Sequence, residues 1–182
     1  MSDATGDARR HHLAQFNVGR LRGPVDSPEL RGFAELLEPV NALADAAPGF
    51  VWRLRDEETG DATTFRPYED PDVALNLSVW ESVDALRDFV YRSGSHLDAM
   101  RRRREWFHPM RETYLVLWWV PAGHLPGLPE AMERLELLRA IGPGPDAFTF
   151  RDPYPAPDAE PAPDADRATN AVPTTNTMPT TT

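Results

Sequence analysis

One histidine stands out among the groups in this sequence that could do chemistry. His96 follows the turn sequence Ser93-Gly94-Ser95 and begins a predicted helix. The positive end of a helix dipole disfavours imidazolium, so a histidine there stays neutral and can act as a proton acceptor or a ligand. A histidine at a helix start can equally serve packing or capping. We interpret His96 as a candidate catalytic base, with the structural role as the alternative.

Amide and hydroxyl groups form the second candidate set. Asn17 and Asn76 lie in two segments that alternate between apolar and polar residues, as half-buried strands do. If these strands are neighbours, the two amides join Gln15 and Ser78 in a polar patch that can hold a carbonyl or superoxide-like oxygen. The alternative is that the amides satisfy one another across the strand pair or face solvent.

Aromatic, apolar and basic side chains are candidates for the walls of a pocket around these groups. The predicted ligand-binding residues beyond the amides are Trp52, Phe89, Met100, Arg104 and Trp118, with Trp80 beside the candidate base. Tryptophans on strands are more often core residues, so a filled core is the alternative. Within the run Arg101 to Arg104, either Arg103 or Arg104 can reach a ligand carboxylate, although such runs usually form a solvated surface.

The composition excludes several classes of function. The sequence has no cysteine, so it has no disulfide, thiolate nucleophile or cysteine-based metal site. All 19 basic side chains are arginine, which excludes Schiff-base chemistry. The formal charge of −10 repels phosphate backbones, so no nucleic-acid partner is expected. No His/Asp/Glu spacing resembles a metal site, and we expect no metal.

The elements that must position these groups follow from hydrophobic periodicity. The predicted order is a strand at residues 13–20, a helix from Ser27, strands at 50–55 and 73–80, a helix pair at 82–107, a strand at 114–120 and a helix at 128–141. Pro39 is expected to kink or split the first helix. This order predicts an α+β, ferredoxin-like antiparallel sheet with helices on one face.

The strand at 114–120 is apolar on both faces, and Leu75 and Leu77 add to the apolar sheet surface. One layer of helices cannot cover this much apolar sheet surface, so we expect a homodimer that packs sheet against sheet. Residues 1–12 are expected to be a flexible segment, 13–153 the domain and 154–182 a disordered tail rich in Pro, Ala and Thr. No segment resembles a signal peptide or a membrane span, so a cytoplasmic location without membrane contact is expected.

Three separated motifs carry a resemblance to a known family. The runs LAQFNVGR, NLSVWESVDALRDFVYRSGSH and YLVLWWVPAGH resemble a bacterial domain family of unknown function in the dimeric α/β-barrel superfamily, which includes antibiotic-biosynthesis monooxygenases. The resemblance covers Leu13 to Phe150. It implies a ferredoxin-like dimer with a pocket between sheet and helices, and it implies no single reaction. Similar proteins include cofactor-independent oxygenases, haem-degrading enzymes, haem peroxidases and isomerases.

The resemblance also suggests roles for single residues. Haem-degrading members use an asparagine on the first strand, a tryptophan ending the third strand and a histidine on the next helix. Asn17, Trp80 and His96 occupy similar places, although the interval from Trp80 to His96 is longer here. The leading hypothesis is a monooxygenase-like enzyme without a cofactor, acting on a hydrophobic, aromatic or polyketide-like substrate. The alternatives are a non-catalytic ligand-binding or assembly module and a haem protein with His96 as axial ligand.

Overall fold

A four-stranded antiparallel sheet organises the chain. The computed structural model describes residues 10–92 and 102–159. The elements are β1 (His11–Arg20), a 3-10 helix (Pro28–Leu30), α1 (Arg31–Asp45), β2 (Phe50–Arg53), β3 (Val73–Trp80), α2 (Val83–Arg92), β4 (Leu115–Pro121) and α3 (Leu128–Ile141), and residues 102–106 are also helical. The strand order β2-β3-β1-β4 is that of a ferredoxin-like sheet, so the predicted fold class is confirmed.

The central strand pair sets the position of every side chain near the candidate site. β1 and β3 pair without interruption from Leu13 opposite Trp80 to Arg20 opposite Val73. Side chains alternate along such a ladder, so each strand sends every second residue to the same face. We call the face that carries Gln15 and Ser78 the inner face, and the opposite face the outer face.

Helices α1 and α2 cover the inner face. The Ser82 hydroxyl accepts a hydrogen bond of 3.1 Å from the backbone N–H of Ala85 and so caps the start of α2. α1 runs through Pro39 without a break, whereas the sequence predicted a kink or a split. Pro39 lies on the exposed side of the helix, where water can satisfy the carbonyl that loses its partner. Ser27, where the sequence predicted the first helix to begin, precedes the 3-10 helix and makes no side-chain capping bond.

Helix α3 and the segment after β2 cover the outer face. The outer-face residues Phe16, Leu77 and Trp118 are at most 1% exposed. They pack with Ala131, Leu135 and Leu138 of α3 and with Leu54, Ala62, Phe65 and Tyr68. The apolar surface that motivated the expected sheet-to-sheet dimer is therefore buried within one chain. The sequence predicted helices on one face only, and this detail is wrong, because α3 packs on the outer face while α1 and α2 lie on the inner face.

A β-bulge in β2 changes the direction of one predicted pocket residue. Phe50 pairs with Trp80, but Trp52 pairs with Val79, because Val51 is an extra residue between them. Without the bulge Trp52 would face the same way as Ser78. The extra residue turns Trp52 to the outer face, where it packs against the core.

The segment after α3 returns along the edge of β4. Phe148 and Leu117 exchange two backbone hydrogen bonds of 2.8 and 2.9 Å, which form an isolated bridge rather than a further strand. The Trp119 indole N–H donates to the Tyr154 carbonyl at 2.9 Å, and the Asp158 carboxylate accepts from the Arg10 backbone N–H at 2.9 Å. The predicted disordered tail therefore has an ordered beginning at residues 154–158, and its remainder from residue 160 lies outside the described residues.

Candidate functional site

A cavity of about 700 Å³ lies between the inner face of the sheet and helices α1 and α2. α1 contributes the apolar stripe that its periodicity predicted, including Phe33, Leu36 and Val40. These side chains are only partly buried, because the stripe faces a space rather than a filled core. The volume is typical of sites for small organic molecules. The sheet therefore holds its polar residues at the floor of an apolar space.

The floor of the cavity is a hydrogen-bonded amide cluster, which we define as Gln15, Asn17, Asn76 and Ser78. Asn17 and Asn76 lie opposite each other in the β1–β3 ladder, as do Gln15 and Ser78. The Gln15 amide N–H donates to Asn17 Oδ1 at 2.6 Å, and the Asn76 amide donates to Gln15 Oε1 at 3.2 Å. The Ser78 hydroxyl donates to Gln15 Oε1 at 2.9 Å. The pairing expected from the sequence therefore brings all four residues together.

The hydrogen bonds of the amide cluster run in one direction, from donor to acceptor, and end at the cavity. The buried Trp80 indole N–H donates to the Ser78 hydroxyl at 3.0 Å, Ser78 donates to Gln15, and Gln15 donates to Asn17. Each donor in such a chain polarises the next one. The Asn17 amide nitrogen has no acceptor among the described residues, so its N–H groups are available to a ligand. The cluster thus holds its buried members in place and presents a donor at Asn17.

Aromatic rings close the cavity next to the cluster. Phe89 of α2 stacks on Trp80 with ring centroids 5.2 Å apart and an interplanar angle of 28°. Phe50 meets the same indole edge-on at 5.2 Å. Trp80 is 1% exposed and its polar edge is used by Ser78, so it acts here as a fixed wall. All three side chains line the cavity.

Three predicted ligand-binding residues do not line this cavity. Trp52 points to the outer face because of the bulge at Val51. Trp118 pairs with Ala14 on the outer face and donates its indole N–H to Glu130 at 3.0 Å, so it is a core residue. Arg104 is exposed and faces away, since successive helical residues point in different directions.

The neighbouring residue Arg103 does line the cavity. Its guanidinium carbon lies 5.2 Å from the ring centre of Phe107 and 4.7 Å from that of Tyr114. Gly19 of β1 makes this packing possible, because a Cβ atom there would lie 2.7 Å from the Phe107 ring and 3.5 Å from an Arg103 nitrogen. A glycine inside a strand pattern often marks such a close approach, and this signal was present in the sequence.

The sequence did not predict that the segment after α3 forms part of the wall. Phe150 and Arg151 line the cavity, and the Phe148 backbone holds them at the edge of β4. Their position depends on the return of the chain after α3, which no local pattern encodes. A short aromatic pair after a Gly/Pro turn was the only indication.

His96 and Met100 lie outside the described residues, so their predicted positions stay predictions. The part of the cavity wall that the structure describes contains no histidine, so the hypothesis of a haem protein with a histidine ligand rests on His96 and stays a prediction. Across residues 10–92 and 102–159 there is also no group of three or more His, Asp or Glu side chains that could hold a metal ion. No helix in the same ranges is long and apolar enough to cross a membrane.

Comparisons with known proteins identify a family and structural relatives. A family model described as "Domain of unknown function (DUF3291)" matches residues 12–164, in agreement with the sequence-based resemblance. No curated protein matches the sequence.

Three solved structures are similar. A protein from Chloroflexus aurantiacus J-10-fl assigned to the antibiotic biosynthesis monooxygenases is 15% identical, with a TM-score of 0.39 over 64% of this chain and 98% of its own. SnoaB, a cofactor-independent oxygenase from Streptomyces nogalater, is 20% identical, with a TM-score of 0.38; the match covers 65% of this chain and 97% of SnoaB. NE2512, a protein of unknown function from Nitrosomonas europaea, is 14% identical, with a TM-score of 0.40; the match covers 65% of this chain and 97% of NE2512. At such identities and TM-scores these similarities carry no argument about a reaction.

Proposed function

The chain belongs to the DUF3291 family, and we propose that it binds a hydrophobic, aromatic or polyketide-like small molecule in the cavity and oxidises it as a monooxygenase-like enzyme without a cofactor. The observation that carries the proposal is the cavity itself, whose floor is the amide cluster and whose walls are mainly aromatic and aliphatic side chains with a smaller number of polar ones. Such a combination of apolar surface with a few placed polar groups is typical of small-molecule sites. The oxygenase part rests on the resemblance of the three sequence motifs.

The described residues can assist this reaction in two ways. The aromatic side chains of the wall, among them Phe89 and Phe33, contact a flat substrate and exclude water, and Asn17 donates an N–H to a substrate oxygen on which negative charge develops. In the overall reaction a ring CH₂ group and O₂ give a ring carbonyl and water, so the substrate supplies all the electrons. The proton acceptor predicted from the sequence is His96, and this role stays a prediction.

The second candidate is a ligand-binding module without catalysis. One observation favours it: the amide cluster satisfies most of its own hydrogen-bonding groups, as the alternative interpretation of the sequence expected. A cluster of this kind can fix the orientation of a ligand without changing it. The homodimer and the cytoplasmic location are not needed by either candidate and stay predictions from the sequence.

Oxygen consumption with a flat tricyclic probe tests the proposal. Anthrone reacts with O₂ to give anthraquinone and water. An oxygen electrode follows the consumption of O₂, and absorbance follows the formation of anthraquinone. We expect catalysed consumption above the rate without protein and a loss of that rate in His96→Ala. Saturable anthrone binding without turnover would support the ligand-binding module instead. Absence of any binding would contradict both candidates.

A further inference from the structure

The Arg103 end of the cavity is an unexplained feature of an acidic protein. The chain carries 29 acidic and 19 basic side chains, so carboxylates are abundant. The neighbouring Arg102 pairs with Glu105 at 3.1 Å, and Arg53, which also lines the cavity, pairs with Asp45 at 2.7 Å. Arg103 has no carboxylate partner and no hydrogen-bond acceptor among the described residues, although it is partly buried.

The rings around Arg103 hold its guanidinium without using its N–H groups. Phe107 and Tyr114 attract the cation through their faces at 5.2 and 4.7 Å, which fixes the plane of the group. The five N–H donors lie at the edge of that plane and match the two oxygens of a carboxylate. Gly19 leaves room for this arrangement directly on the sheet. The site is therefore prepared for an anion that the described chain does not provide.

We propose that the cavity selects a ligand with an anionic group, a carboxylate or an ionised acidic hydroxyl, which pairs with Arg103 while a neutral oxygen of the same ligand meets Asn17. This deepens the proposed function and rests on it, because the ligand must occupy the same cavity. The ligand class is an aromatic or conjugated acid rather than a neutral hydrocarbon.

The strand fixes the spacing between the two polar contacts. Gly19 and Asn17 lie two residues apart on β1 and face the same side, which places them about 7 Å apart. An Arg103 nitrogen lies 3.5 Å from the Cβ position of Gly19. The two oxygen-bearing groups of the ligand must then lie at opposite ends of a rigid ring system, so that one contacts Asn17 and the other Arg103.

Two probes that differ only in charge test this inference by isothermal titration calorimetry on the full chain. 6-Hydroxy-2-naphthoate is an anion at neutral pH, and 6-hydroxy-2-naphthamide is its neutral isostere. We expect the naphthoate to bind the wild-type chain about tenfold more tightly or better, because a charge-assisted pair adds to the same ring contacts. Added salt should weaken the binding of the naphthoate more than that of the amide.

Variants at adjacent positions separate Arg103 from its surroundings. Arg103→Gln should remove the preference for the anion and leave the affinity of the amide within about twofold, whereas Arg103→Lys should keep part of the preference. Arg104→Gln is the matched control, since Arg104 is exposed and does not line the cavity, and it should keep the full preference. The comparison of the two probes on the wild-type chain does not depend on any variant being folded.

The possible failures are distinct. Equal affinity of both probes for the wild-type chain, or an unchanged preference in Arg103→Gln, would overturn the anion site and leave the proposed binding function intact. If neither probe bound, the proposed binding function would fail and the anion site with it.

Discussion

Asn17 and Asn76 lie directly opposite each other on the two central strands, and the Asn76 amide reaches Asn17 Oδ1 at 3.4 Å and Gln15 Oε1 at 3.2 Å. Both hydrogens of the Asn76 amide are therefore used inside the cluster, while those of Asn17 have no acceptor in the described part of the chain. Two residues of the same type at one level of the sheet have different roles. Asn76 orients its neighbours, and Asn17 is the one that can donate to a ligand.

Asn17→Ala should reduce anthrone oxidation about 100-fold if its N–H stabilises a developing oxyanion. The melting temperature should also fall, because the Gln15 amide, which is 4% exposed, loses the acceptor of its N–H. Asn41→Ala removes an amide that lines the same cavity from α1 but makes no bond to the cluster, and it should change turnover much less. Steady-state oxygen consumption checks both variants. Equal effects of the two substitutions would contradict the assignment of Asn17.

Ser78→Ala should act mainly on stability. Ser78 is 4% exposed and accepts the indole N–H of Trp80, so its removal leaves a buried donor without a partner. We expect a loss of about 1–3 kcal/mol in the free energy of unfolding, measured by urea denaturation. Asn76→Ala, on the same face but exposed, is the control and should cost less. A Ser78 variant as stable as the wild type would mean that the indole N–H finds another acceptor.

Leu135→Ala tests whether the packing of α3 on the outer face stabilises the fold. Leu135 is fully buried, and its truncation should cost about 2–5 kcal/mol in the free energy of unfolding. Ile141→Ala, on the same helix but 76% exposed, should change it by less than about 0.5 kcal/mol.

The unfolding midpoint of the wild type, measured at several protein concentrations, tests the predicted homodimer separately, because a midpoint that does not change with concentration is expected only if one chain folds alone. A midpoint that rises with concentration would show that a second copy adds cover. Leu117→Asp is unsuitable as a test of dimerisation, because it places a charge in a fully buried core position against Phe148. It should prevent folding rather than separate subunits.

The contact of Asp158 with Arg10 and His11 predicts an acid-sensitive release of the last described segment. Burial acts to raise the pKa of Asp158, but hydrogen bonds from the Arg10 backbone N–H and the His11 ring outweigh it and hold the pKa below its ordinary value of 3.8. When the segment is released, the Asp158 carboxyl has its ordinary pKa. The docked state therefore gains stability from this group above pH 3.8 and loses it as the pH falls through the lower pKa.

The indole N–H resonance of Trp119, which bonds to the Tyr154 carbonyl, can report the release by NMR. Asp158→Asn should weaken docking at neutral pH and remove its dependence on acid. Asp152→Asn changes an exposed carboxyl in the same segment and should leave the wild-type profile. The same acid profile in Asp158→Asn as in the wild type would refute this role.

The sequence predicted the floor of the cavity well and its walls poorly. Alternation in β1 and β3 identifies which residues share a face, and the ferredoxin-like order makes the two strands neighbours, so Asn17 meets Asn76. Neither step needs information from outside the strands. The floor could therefore be derived from local patterns and one rule of topology.

The errors come from features that a local pattern does not contain. A single extra residue at Val51 turns Trp52 to the other face, and sequence alternation cannot show a bulge. β4 is apolar on both faces, so nothing in its sequence distinguished the side of Trp118 from that of Trp119. In the arginine run, the choice between Arg103 and Arg104 depends on the rotation of one short helix, which only the packing against Gly19 fixes.

The contact between Arg10 and Asp158 also bears on the connectivity of the chain. The beginning and the end of the described residues meet at a hydrogen bond of 2.9 Å from the Arg10 N–H to Asp158, and the Ala122 N–H donates to the Arg10 carbonyl at 2.7 Å. A short linker from Ala159 to Arg10 would close the backbone into a ring without moving a strand. New ends could then be opened at Gly123, in the exposed turn between β4 and α3. A circular permutant that starts at a different residue would therefore keep the cavity.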